Sequence, residues 1–95
     1  MGILDKLRRK QPPDAGARRR HLLKIGRITD GVILDCEENV AGEEVAVFLY
    51  TLNGVDFESS DILTAEQRNL RAKYAPGAKI GIRYDPRNQG NSIVE

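Results

Sequence analysis

An Asn53-Gly54 pair lies between Glu-Val-Ala-Val-Phe-Leu-Tyr-Thr-Leu (44–52) and Val-Asp-Phe-Glu-Ser-Ser (55–60), two runs rich in β-branched and aromatic residues. No other feature of the chain constrains its folding as much. Both central residues of a type I′ turn need positive φ, which Asn tolerates and Gly adopts without steric cost. A two-residue loop also fixes register, so Leu52 should pair with Val55, Tyr50 with Phe57 and Phe48 with Ser59. Phe48, Tyr50, Leu52, Val55 and Phe57 then share one face, the natural core side. Val47, Leu49 and Thr51 share the other with Asp56, Glu58 and Ser60, which should be partly solvated.

The flanking segments extend this hairpin. From Arg27 a period of two predicts a strand over residues 28–37, bent at Gly31. It would carry Ile28, Val32, Leu34 and Cys36 on one side and Thr29, Gly31, Asp35 and Glu37 on the other. Residues 38–43 turn the chain back, giving a three-stranded antiparallel meander. Thr64-Ala65-Glu66-Gln67 has the spacing of a capping box. Leu70 and Tyr74, four apart, predict a helical apolar stripe that ends at Pro76-Gly77. Alternation resumes with Ile80, Ile82 and Tyr84 on one face and Lys79, Gly81, Arg83 and Asp85 on the other. Residues 85–90 read as a turn-rich loop and 91–94 as a short last strand. The order strand, strand, strand, helix, strand, strand is that of an OB-fold, a five-stranded partly open barrel. The expected class is therefore mainly β, a small five-stranded antiparallel barrel or roll in OB-like order (βββαββ), with an N-terminal basic helical arm.

That arm, residues 1–26, precedes the barrel-like domain of residues 27–95, and 95 residues suffice for one small domain. Net charge divides along this line. Residues 1–27 hold nine Lys or Arg against Asp5 and Asp14, a net +7, whereas residues 28–95 carry −6. Met1 to Lys10 is amphipathic, with Ile3, Leu4 and Leu7 at helical spacing beside Lys6, Arg8, Arg9 and Lys10. Ten residues do not sustain a helix alone in water, so order there needs a surface to lie on. Gln11-Pro12-Pro13 interrupts it. Asp14 is placed to cap a helix over 14–25 that stops at Gly26, with Arg18, Arg19 and Arg20 as its solvated side.

The C-terminal half carries a resemblance. Tyr74-Ala-Pro76-Gly77-Ala-Lys-Ile80-Gly-Ile82-Arg-Tyr84-Asp85-Pro86-Arg-Asn88 is similar to the signature of the bacterial family called domain of unknown function 3592. Tyr50, Gly54 and Phe57, and the Gly31-Val32-Ile33 start of the first strand, match its upstream pattern. The resemblance spans roughly residues 26–94 and departs from the pattern at Gln89, where the family usually has Pro. It implies a small β-rich domain with no assigned activity.

Candidate chemistry is sparse. Cys36 has the apolar, acid-flanked setting of a small buried hydrophobe, the opposite of what a thiolate nucleophile needs. His21, the one histidine, has neither a base partner nor further metal ligands in view and reads as a surface residue. Asp85 is expected to accept backbone hydrogen bonds in the turn set by Pro86. Glu37-Glu38 and Glu43-Glu44 read as solvated loop charge. The single Cys excludes an internal disulfide. No catalytic residue, metal site or cofactor is expected, and nothing argues for an enzyme.

What remains is the arm, and Arg8, Arg9, Lys10, Arg18, Arg19 and Arg20 are the candidate interaction residues. The expected function is a non-enzymatic binding or interaction module, with a protein as partner. A peripheral membrane accessory protein is the alternative, its basic arm on an anionic membrane surface. Nucleic acid stands third, because a domain at −6 repels phosphate and the hairpin register puts the aromatic rings inside. With no export signal or membrane-spanning run in view, a cytoplasmic place is expected, with the inner membrane surface as the alternative.

Overall fold

A computed structural model of the chain describes residues 15–95. The amphipathic segment expected over residues 1–10, the break at Gln11-Pro12-Pro13 and the Asp14 cap lie outside the described residues. The elements run α1 (Ala15–Ile25), β1 (Arg27–Glu38), β2 (Glu44–Leu52), β3 (Val55–Ile62), α2 (Ala65–Arg68), a 3-10 turn (Arg71–Tyr74), β4 (Lys79–Asp85) and β5 (Asn88–Val94).

The hairpin forms with the register that its turn dictates. Asn53 and Gly54 have φ of 52° and 81°, and Leu52 pairs with Val55, Tyr50 with Phe57 and Phe48 with Ser59. Phe48, Tyr50 and Leu52 point into the core, and Tyr50 stacks on Phe48, Phe57 and Tyr84 with ring centroids 6.0, 5.5 and 6.4 Å away. Val55 is the exception. It has the inward parity and pairs with the buried Leu52, but at the first position after the turn it is exposed.

β1 presents the opposite face from the one its sequence suggests. Ile33 is buried, with Thr29 and Gly31 on its side, while Ile28, Val32 and Leu34 turn outward. Two features cause this. Gly31 pairs with the inward Tyr50, and a Cβ added there would lie 2.7 Å from the Leu49 carbonyl oxygen and 2.6 Å from Ile82 Cγ1. The wall is too close at that point for any side chain. Beyond it the register shifts between Ile33 and Asp35, so Leu34 is the extra residue of a bulge and Cys36 returns to the inner side, opposite Ala46.

The sheet order is β3-β2-β1-β4-β5, every neighbour antiparallel. β3 and β5 at its two ends therefore run parallel, and they pack against each other. The result is a nearly closed five-stranded barrel in the OB-like order. β4 and β5 join through a tight turn at Pro86-Arg87, so β5 starts at Asn88, three residues before the expected strand. Asp85 Oδ1 accepts the Arg87 N–H there at 2.8 Å, as expected.

The capping box forms: Gln67 N donates to Thr64 Oγ1 at 3.1 Å and Thr64 N to Gln67 Oε1 at 2.8 Å. The expected Leu70–Tyr74 stripe does not. α2 ends at Arg68, Leu70 leaves helical geometry at ψ 57° and stays exposed, and only Tyr74 is buried, from the 3-10 turn. α1 closes where expected, Gly26 N donating to Leu22 O at 2.8 Å.

Candidate functional site

α1 is not a free arm. It lies across the outside of β4 and β5, and its Leu22 and the outward-pointing Ile93 are both fully buried. From this position Arg18 and Arg19 reach the seam where β3 and β5 meet. Arg18 Nη2 donates to the Ser92 carbonyl and, at 3.5 Å, to the Ser60 carbonyl. Arg19 Nη1 donates to Val94 O at 3.0 Å and stands 3.9 Å from Asp61 Oδ2. Asp61 Oδ2 in turn accepts the Val94 N–H at 3.2 Å, and Gln67 Nε2 donates to Val94 O at the same distance. These contacts do what a ladder of backbone hydrogen bonds would do in a fully closed sheet: they satisfy edge groups that would otherwise be bare.

Of the sequence candidates, Arg18 and Arg19 are thus partly buried and engaged with the domain itself, not on a solvated side. Arg20 and His21 are exposed, and Arg8, Arg9 and Lys10 lie outside the described residues. Asp61 is the residue that sequence reasoning missed. It shares parity with Phe57 and so points inward, where it is 5% exposed. Burial pushes its carboxyl above the ordinary value, against the opposing pull of the Val94 N–H and of Arg18 and Arg19. The alternation of β3 already put it inside. What it could not give was the arginine pair from a distant helix.

At one end of the barrel a cleft of about 230 Å³ is lined by Cys36, Glu44, Gln67, Arg68, Arg71 and Tyr74. Burial, and then the negative charges of Glu44 and Asp35, push the Cys36 thiol up, away from thiolate chemistry. Among the described residues no three His, Cys, Asp or Glu side chains gather as a metal site requires. No helix of the described residues is long and apolar enough to cross a membrane.

Among the described residues, a group of exposed apolar side chains lies on the outside of β1 and β2. Ile28 and Leu34 are exposed, and Val32 pairs with Leu49, both outward and half-buried. Asp30, Val32, Leu49, Thr51 and Lys79 line an open groove there of about 620 Å³. Pairing sets the residues of this face in rows. One row runs across four strands as Lys79, Val32, Leu49, Glu58: cation, apolar, apolar, anion. The rings of Phe48 and Tyr50 are on the other side, in the core.

Fold and surfaces together define a class: a small, nearly closed β-barrel of OB-like strand order with a helix laid over one outer face. More narrowly, the chain belongs to the family described as Domain of unknown function (DUF3592), whose model matches residues 26–95. The match takes in the whole barrel and Asp61, and starts just after α1 with its Arg18 and Arg19. No curated protein and no solved structure matches the chain.

Proposed function

We propose that this chain is a non-enzymatic interaction module that binds a protein partner on the outer face of β1 and β2. The exposed apolar residues of that face, Ile28 and Leu34 beside the Val32–Leu49 pair, are the observation that carries the reading. Covering apolar surface gains roughly 25 cal/mol per Å², and clustered exposed apolar side chains rimmed by polar ones are typical of protein contact sites. Asp30, Asp56 and Glu58 rim the patch, which disfavours a phosphate backbone, and no aromatic side chain of β2 faces outward for bases to stack on.

Replacing Leu49 with a photo-crosslinking amino acid tests this in cells. A crosslinked protein adduct at position 49, with none from the same probe at the exposed Glu66, is the expected result; an empty lane at both positions retires the reading. The membrane alternative, in which Ile3, Leu4 and Leu7 insert beside Lys6, Arg8, Arg9 and Lys10, draws on the exposed Arg20 as a further cation in the N-terminal stretch of the sequence. Flotation with anionic vesicles decides it: binding by the full chain that disappears without residues 1–13 would favour it over the protein partner.

A further inference from the structure

We infer that the occupant of the β1–β2 face is a second copy of this chain, packed face to face about a twofold axis that runs along the strands between β1 and β2. The inference rests on the interaction reading above and narrows it to one partner. It comes from the charge order of the rows. A twofold axis parallel to the strands lays each row on its own reverse. Lys79, Val32, Leu49, Glu58 then meets Glu58, Leu49, Val32, Lys79 of the other copy. The apolar pair covers the apolar pair, and at each rim a cation faces an anion.

The adjoining rows obey the same operation. Asp35 is the residue paired with Val47, with Leu34 as the extra residue of the bulge before it. The operation brings both toward Val47 of the other copy and leaves Asp35 at the edge of the contact without an acid opposite. Extending the register by one pair, the row on the other side reads Gly81, Asp30, Thr51, Asp56, so each acid meets Thr51 or Gly81 and never another acid. An axis at right angles to the strands would instead set Lys79 on Lys79 and Glu58 on Glu58. Among the described residues neither Lys79 nor Glu58 makes an ion pair within its own chain, and both are exposed. Lys79 lines the same groove as Val32 and Leu49, so the cation and the apolar pair belong to one surface. Aligned packing of two antiparallel faces is an ordinary way to bury such a surface, and an isologous contact needs just this self-complementarity.

Sedimentation of the full chain at near-physiological salt tests the pairing. The wild type should sediment at twice the chain mass, and Leu49→Asp at the chain mass with an unchanged circular dichroism spectrum, since the side chain is on the outside. Lys79→Glu and Glu58→Lys should each raise the dissociation constant roughly tenfold by setting like charges together. Combining the two reversals should restore wild-type affinity. A wild-type chain that stays monomeric to about 1 mM, or reversals whose combination gives no rescue, overturns the second copy. If the monomeric chain still crosslinks to another protein at position 49, the interaction face survives and only the self-pairing falls. If crosslinking is absent as well, both readings fall together.

Discussion

On β5, Ile93 points away from the barrel interior and is fully buried beneath α1; on β1, Ile28 also points outward and is 57% exposed. The strands that carry them belong to one sheet and share the same inner core. What differs is the cover. Over β4 and β5 the chain supplies its own, a helix that contributes Leu22 as the buried apolar contact and Arg18 and Arg19 as ties to the seam. Over β1 and β2 the described residues supply none. An apolar residue on the outside of a small barrel is ordinary when singly placed. Val32 and Leu49 form a pair with Ile28 and Leu34 exposed on the same face, whereas the outward apolar residue of β5 is Ile93 alone, and it is covered.

The comparison is most easily broken at Leu22. Because it is fully buried outside the main core cluster, Leu22→Ala removes the helix's apolar contact with little prospect of repacking. A loss of about 2–5 kcal/mol is expected from urea unfolding. A loss below about 1 kcal/mol would mean that α1 rests on β4 and β5 without being held there, and the two outer faces would then be alike.

Arg19→Ala sharpens the same point at the seam. It removes the donor to Val94 O and the charge nearest Asp61, and should cost about 2 kcal/mol. Arg20→Ala, one residue on and exposed, should stay within about 0.5 kcal/mol. Equal effects from the two neighbours would show that the arginine run acts by general charge and not by position.

The turn chemistry of Asn53-Gly54 is local, so its hairpin, register and inward rings were legible from the sequence alone. The capping box at Thr64 and the Asp85 turn were legible for the same reason. The facing of β1 was not. Ile28, Val32 and Leu34 make a more apolar parity than Ile33 with Thr29 and Gly31, and local alternation favours the former. The choice is made by the tight contact of Gly31 with Leu49 and Ile82 and by the bulge at Leu34, both properties of the assembled sheet. The contacts at the β3–β5 seam lay between these cases. The parity of Phe57 carried four residues on puts Asp61 inside, but that face was followed only to Ser60. The arginines that answer Asp61 come from a helix in which, among the described side chains, Leu22 alone is a buried apolar residue.

Asp61 supplies a smaller test, read through pH. Burial raises its folded value above the ordinary 3.8. A carboxyl that holds its proton more tightly when folded stabilises the fold fully below the ordinary value, and that contribution is lost as pH rises through the folded value. Asp61→Asn keeps an oxygen for the Val94 N–H and has no proton to lose. The urea midpoint of the wild type should therefore fall relative to that of Asp61→Asn as pH is raised from the acid range to neutrality. A gap between the two that does not change with pH would mean that Arg18 and Arg19 fully offset the burial.

The smallest expected effect bears most directly on the uncovered face. Ile28→Thr keeps β-branching, and hence strand preference, while removing apolar surface that is already mostly in water. Measured at a protein concentration low enough to keep the chain monomeric, it should change stability by no more than about 0.5 kcal/mol. The same substitution on a covered face would resemble a core truncation, as at Leu22. A cost approaching 2 kcal/mol would therefore show that the outside of β1 is already covered within the single chain, leaving no vacancy for a partner. A near-zero cost in the monomer, together with weaker pairing at high concentration, is what an interaction face requires: apolar surface that contributes to association and little to folding.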